Sequence, residues 1–300
     1  MSKAIVYTDT GPPDVLRLAD VDEPQVAQGQ VRLAVRAAAV NPIDWKIRSG
    51  AFGGVSLPAT PGTDVAGVVD QVGDGVADLA AGDEVFGFAL GGSYAEYAVV
   101  EDFVVKPPDM PWEVAASLPI AAETSQRVLD LLDVGDGDTL LIHGAAGSVG
   151  GIATQLAVAR GAAVIGTASQ RNHDYLQTLG ATPTVYGDGL VDRVRALAPD
   201  GIDAVLDTAG KGDLPASIEL RGGTTDRIAT IADPRADDHG VTFSGGGGKR
   251  SLAGLREVAA RYEQGTLVVP IRATYALADA AAAQRDSEQG HGRGKIVLVP

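Results

Sequence analysis

Through the first third of the chain, apolar and polar positions alternate in short runs broken by Gly and Pro. This pattern predicts strands over 3–7, 16–19, 30–38, 64–72, 84–88 and 94–99. No long helical period intervenes before Pro111, so residues 1–116 read as a compact β-barrel-like domain. The polar stretch 40–59 interrupts it as a functional excursion.

Beyond Pro111 the period lengthens. Apolar positions at helical spacing predict helices over 112–118 and 124–132, followed by strands over 139–142, 163–167, 184–186, 203–207, 227–231 and 241–243. Between them fall a helix stopped by Gly161 and helices over 171–179, 190–198, 214–220 and 251–264. Regular alternation of this kind specifies an α/β domain over 117–264, with a doubly wound parallel sheet. The tail, 265–300, offers strands over 267–269 and 295–299 around a helix over 277–289. With the parallel sheet already complete, the tail is expected to return to the first domain. The glycine run 245–248 is expected to be locally flexible.

The densest signal lies between the first strand of the α/β domain and its helix. Gly144, Ala145, Ala146, Gly147, Ser148, Val149 and Gly150 form a turn without large side chains, so backbone N–H groups and a helix N-terminus can approach a pyrophosphate. Ala145 stands where the usual fingerprint has its first glycine, but the strand–turn–helix context is the one the motif requires. Beyond the second strand, where sites for unphosphorylated ribose place an acid, the chain reads Thr167-Ala168-Ser169 and then Arg171 and His173. Arg171 and Ser169 could hold a 2′-phosphate, which selects NADP(H); the alternative makes Arg171 and His173 solvated helix-start residues. Ala209, after the strand ending at Asp207, is expected beside the nicotinamide half.

Composition narrows the class. The net charge of −15 disfavours nucleic acid as a partner. Cysteine is absent, which removes disulfides, thiolate zinc sites and thiol nucleophiles together. No apolar run approaches the roughly 20 residues of a membrane span, and a cytoplasmic enzyme is expected.

Four further runs identify a family. Asn41-Pro42-Ile43-Asp44-Trp45-Lys46-Ile47-Arg48-Ser49-Gly50, Pro61-Gly62-Thr63-Asp64-Val65-Ala66-Gly67 and Gly82-Asp83-Glu84-Val85-Phe86-Gly87 precede the glycine turn, and Gly292-Arg293-Gly294-Lys295-Ile296-Val297-Leu298 closes the chain. In this order they resemble the zinc-independent quinone oxidoreductase branch of the medium-chain dehydrogenase/reductase superfamily. The resemblance implies a GroES-like β-barrel catalytic domain, a Rossmann domain, NADP(H), no metal and a homodimer or tetramer, the dimer being expected here. Zinc-dependent relatives place an early Cys and a Gly-His-Glu where this chain has Gly62-Thr63-Asp64.

By the same resemblance, Asn41 lies near the nicotinamide and acceptor, Thr124 faces the cofactor, and Tyr186 sits beside the 2′-phosphate. Phe243, Ser244 and Gly245 border the cofactor cleft and the subunit edge. Asn41 equally suits an Asx-turn before Pro42. Asp44, Phe52 and Glu123 are expected in the substrate pocket, Phe52 replacing a tyrosine of many relatives and Glu123 an apolar residue. Asp44, Lys46 and Arg48 are expected to order the loop as an ion-pair and hydrogen-bond set. Arg293 and Lys295 could close over the cofactor phosphates. The leading reading is an NADPH-dependent quinone oxidoreductase acting on a small quinone or related electrophile. An alkenal or enoyl reductase shares every motif, and an NADPH-binding redox sensor with little turnover is the alternative of another class.

Overall fold

The computed structural model describes residues 1–53, 55–246, 250–290 and 292–300, so the expectation for 245–248 lies outside the described residues at 247–248. The chain opens with β1 (Ser2–Val6), β2 (Arg17–Val21) and β3 (Val31–Val40). Helix α1 (Pro42–Arg48) leads to β4 (Asp64–Val72), β5 (Glu84–Leu90), β6 (Tyr97–Val105) and α2 (Trp112–Ser117). Next come α3 (Pro119–Leu131), β7 (Thr139–His143), α4 (Ser148–Ala159), β8 (Ala163–Thr167), α5 (His173–Thr178) and β9 (Thr182–Thr184). Then follow α6 (Leu190–Leu197), β10 (Ala204–Asp207), α7 (Leu214–Leu220), β11 (Ile228–Thr230), β12 (Thr242–Phe243), α8 (Ala253–Glu263), β13 (Ile271–Ala276), α9 (Ala280–Glu288) and β14 (Lys295–Val299).

Two compact units result, Met1–Ile120 with Leu255–Pro300, and Ala121–Gly254. In the first, β1 pairs with β2, and a six-stranded sheet runs β13-β14-β3-β4-β5-β6. A further pairing of β3 with β6 closes the last four strands into a barrel, covering the β3 edge over Val31–Ala34, while β14 pairs the same strand at Ala38–Val40. Alternate residues Val31, Leu33 and Val35 of β3 face Val65, Val69, Val85 and Val100 in its core, the period-2 pattern predicted for these strands. The tail adds a different device. Parallel β13 and β14 are joined through α9, whose Ala280 and Ala283 pack on Ile5, Val40 and Leu298.

The second unit has a parallel sheet in the order β12-β11-β10-β7-β8-β9. The order reverses between β7 and β10, the switch point at whose carboxyl ends such sheets bind ligands. The strands after which the sequence places Gly144 and Ala209 are therefore neighbours.

Three strand expectations move, the first being that over 94–99, which forms as Tyr97–Val105 where it registers with β3 and β5. The strand expected over 267–269 is absent; Pro270 follows it, and β13 forms beyond the proline, where Ile271 registers with Lys295 of β14. The strand expected over 184–186 lies at Thr182–Thr184, because Thr182 and Thr184 register with Ile165 and Thr167 of β8. Tyr186 therefore falls beyond the strand, 58% exposed. No helix among the described residues is long and apolar enough to cross a membrane.

Candidate active site

In the first unit, polar side chains converge where β3 ends. Asn41 caps α1: its backbone is extended, its N–H donates to Asp44 Oδ2 at 2.8 Å, and the Asp44 N–H returns to Asn41 O at 3.0 Å. With Pro42 in the first helical turn, the chain begins a helix here. The Asn41 side chain is buried and held from both ends. Its Nδ2 donates to Asp64 Oδ2 at 2.9 Å, and its Oδ1 accepts from Lys295 Nζ at 2.5 Å. Asp64, 0% exposed at the start of β4, also accepts the Ile120 N–H at 2.9 Å and has Lys295 Nζ at 3.6 Å.

Lys295 departs from expectation. It is 4% exposed, and its ammonium is committed to Asn41 and Asp64 instead of standing free for a phosphate. The closing glycines explain its delivery. Gly294 has φ +94°, and a Cβ there would lie 2.6 Å from Pro270 O, so only glycine lets β14 start this close to β13.

Asp44 is buried with them and accepts the Tyr94 O–H on Oδ2 at 3.0 Å. Burial pushes its carboxyl up to about 7, reinforced by the charge of Asp64 and opposed by the Asn41 N–H, Tyr94 and Lys295. Asp64 is raised for the same first reason, against Lys295 and Asn41, and burial moves the Tyr94 phenol well above its ordinary range. The expected loop set of Asp44, Lys46 and Arg48 forms differently. Helical spacing puts Asp44 and Arg48 on one face, but Arg48 pairs with Glu288 of α9, and Lys46 lies 5.7 Å from the Trp45 ring. Phe52, in the turn after α1, is 58% exposed.

This donor set does not fit a catalytic zinc, which needs about three protein ligands. Both Asp64 oxygens already accept hydrogen bonds, an ammonium stands beside them, and the chain has no cysteine. Among the described residues no group of three or more His, Asp or Glu side chains could hold a metal ion.

In the second unit the turn after β7 is built for close approach. A Cβ on Gly150 would lie 2.4 Å from Gly144 O and 2.8 Å from the Ala145 Cα, so the first turn of α4 can sit on the loop only as glycine. Gly147 is the N-cap of α4, and the Ser148, Val149 and Gly150 N–H groups of its first turn lack intrahelical acceptors. The turn is anchored by Gly144 N–H on Thr167 Oγ1 at 3.2 Å and Ala145 N–H on Thr167 O at 3.1 Å. Ala145 is accommodated because β8 has glycine opposite: a Cβ on Gly166 would meet the Ala145 methyl at 2.8 Å. Ala146 is buried against the same turn. These features fit a dinucleotide pyrophosphate.

At the end of β8, Ser169 Oγ accepts from Asn172 Nδ2 at 3.2 Å, and His173 Nε2 lies 3.4 Å from Ala168 O. Arg171 is exposed and makes no hydrogen bond or ion pair with a described residue. The loop carrying Tyr186 is held by Arg193, which donates to Val185 O at 2.9 Å and Asp188 O at 2.7 Å. After β10, buried Asp207 accepts the Ala209 and Gly210 N–H groups on Oδ1 at 2.9 and 3.0 Å, and the Thr230 hydroxyl on Oδ2 at 2.8 Å. Beneath the turn, fully buried His143 contacts Ser217 Oγ at 2.9 Å, and desolvation lowers its pKa.

Glu123 and Thr124 lie on α3 with a residue the sequence reading passed over. Arg127 donates to Glu123 Oε1 at 2.8 Å and to Ser244 O at 3.2 Å, and also bonds Ser244 Oγ. Its position four residues after Glu123 is the signal that could have revealed it. Thr124 Oγ1 lies 3.5 Å from Arg127 and 3.4 Å from Glu123. Phe243 is 42% exposed and Gly245 exposed, beside this tether.

Family models match two stretches, an alcohol dehydrogenase GroES-like domain over residues 27–109 and a zinc-binding dehydrogenase over 179–298. The NADPH-dependent alkenal/one oxidoreductase of Arabidopsis thaliana is 34% identical over 99% of this chain and 79% of its own length. The quinone oxidoreductase of Mus musculus is 31% identical, covering 100% of this chain and 98% of its own. A mycobacterial protein solved in complex with NADPH superposes with a TM-score of 0.85 at 30% identity, with full coverage of both chains.

Proposed function

The chain belongs to the medium-chain dehydrogenase/reductase superfamily, in company with its quinone oxidoreductases, and from that premise we propose that it is an NADPH-dependent, zinc-independent quinone oxidoreductase. The observation that carries the reading is the pairing of a pyrophosphate-ready turn, Gly144 to Gly150, with an Asp64 site that holds an ammonium where zinc enzymes place a metal ligand. Bound at that turn, NADPH would supply a hydride, the chemistry being the cofactor's own. The first-turn N–H groups of α4 bind its pyrophosphate, and Arg171, with Ser169, takes the 2′-phosphate. A quinone or enone is electron-poor already. Its reduction asks of the protein only orientation and a hydrogen-bond donor toward the oxygen on which charge develops. Asn41 is that donor, and Asp44 and Tyr94 hold the loop that carries it.

The alkenal reading rests on the Arabidopsis relative, named for alkenal/one substrates. The test is NADPH oxidation followed at 340 nm with naphthoquinones, orthoquinones and α,β-unsaturated carbonyls. Quinones should give kcat/KM at least tenfold above enones. The reverse ranking makes the protein an alkenal or enoyl reductase, and tight NADPH binding without turnover across the panel makes it a sensor.

A further inference from the structure

The tail lysine does more than complete a strand. Asn41 and Lys295 are cross-strand neighbours: β14 pairs antiparallel with β3 as Ile296 to Val40 and Val297 to Ala39, and the next step of that register sets Lys295 opposite Asn41. There the ammonium meets Asn41 Oδ1 at 2.5 Å, while Asp64 Oδ2 takes Asn41 Nδ2 at 2.9 Å. An ammonium has no acceptor lone pair and an ionised carboxylate has no donor, so the amide can satisfy both partners in one orientation only. Flipping it would set the amide NH2 against the ammonium and the amide oxygen against the carboxylate.

We propose that Lys295 is a positioning residue for the reaction: with Asp64 it locks and polarises the Asn41 amide, so that the second Nδ2–H is a fixed donor toward the acceptor's developing oxyanion. One Nδ2 hydrogen is held by Asp64, and among the described residues the other has no partner. A hydrogen bond accepted from a cation draws electron density from the amide and strengthens the bonds its N–H groups donate. Fixed orientation also removes the reorganisation a free amide would need as charge develops. Lys295 thus passes the influence of its positive charge to the acceptor through Asn41, without touching the acceptor itself. The inference rests on the reading of Asn41 as the donor to the acceptor.

Three variants test it: Lys295→Met, Asp64→Asn and the double. Lys295→Met should lower kcat about 100-fold, the scale of losing one oxyanion donor, while the KM for NADPH changes less than about threefold. It should also be less stable, since Asp64 is left buried without its cation. The double variant removes both charges and should recover an unfolding temperature within about 3 °C of wild type, yet keep the loss in kcat. In cofactor-free protein, the Asn41 side-chain amide resonances, assigned by their absence from Asn41→Ala, should shift and broaden in Lys295→Met. Recovery of kcat together with stability in the double variant would reduce Lys295 to a structural ion pair and overturn the proposal. So would a raised KM for NADPH at unchanged kcat, or unaltered Asn41 amide resonances. Wild-type protein that oxidises no NADPH with any acceptor overturns the functional reading instead, and the amide resonances still decide the orientation.

Discussion

Replacing Asp44 with Asn should stabilise the barrel unit at alkaline pH and leave it nearly unchanged at acid pH. Asp44 accepts both of its hydrogen bonds, from the Asn41 N–H and the Tyr94 hydroxyl, on one oxygen, so an amide oxygen can keep both. What disappears is the ionisation. Its carboxyl is raised from 3.8 to about 7, chiefly by burial. Between those values the native state holds a proton that the unfolded chain has released, so stability falls as pH rises across that window. Integrated over it, the charged form costs about 4 kcal/mol at pH 8.5, an upper figure set by full burial. Lys295 and Asp64 are present in both proteins, so the difference between them isolates Asp44. Urea denaturation followed by tryptophan fluorescence is the assay, because both tryptophans, Trp45 and Trp112, lie in the first unit. The Asp44→Asn variant should match wild type within about 1 kcal/mol at pH 4 and exceed it by about 2–4 kcal/mol at pH 8.5. A difference that stays flat between those pH values would refute the reasoning, as would a variant weaker at pH 8.5 than at pH 4.

Other consequences are as direct. Arg171→Ala should raise the apparent constant for NADPH about 10- to 100-fold, the worth of a charge-assisted contact to phosphate, and leave NADH within a factor of three; equal effects would remove Arg171 from the 2′-phosphate. Gly150→Ala places a methyl 2.4 Å from Gly144 O and should abolish NADPH binding in a fluorescence titration, so binding within twofold of wild type would mean the turn is not the pyrophosphate site. Gly166→Ala should cost about 1–3 kcal/mol by overpacking Ala145 and Leu176, read by circular dichroism in urea. Adding Ala145→Gly should return much of that loss, and strictly additive effects would sink the packing argument.

Much of the fold was legible because alternation and helical spacing are local. Asp64–Val72, Ala163–Thr167, Leu214–Leu220 and Lys295–Val299 form with the predicted bounds, and the glycine turn sits between a strand and a helix as its motif requires. The misplaced strands are those whose extent is set by a neighbour. β9 is three residues long and stops where it registers with β8, and β13 exists as the partner of β14. The site was half legible for a similar reason. Asn41, Asp44 and Lys295 were singled out, but residues 254 positions apart carry no local sign that they touch. Lys295 therefore read as a phosphate ligand, and Tyr94, inside a predicted strand, gave no hint that its hydroxyl reaches Asp44. Arg127 and Gly166 could have been found, one from its spacing to Glu123 and the other as a glycine within a strand.

The late position of β14 bears on how the molecule is made. β3 leaves the ribosome with one side of its sheet waiting for a strand encoded 254 positions later, together with the cation for a carboxylate that will be buried. At ordinary elongation rates that interval is about 10–50 s, during which the whole parallel sheet of the second unit can emerge and close. The nascent barrel must therefore pass that time with an open edge and an unpaired Asp64. Any stall or premature stop before Lys295 leaves a chain that can assemble its nucleotide-binding half while lacking the residue that completes the other.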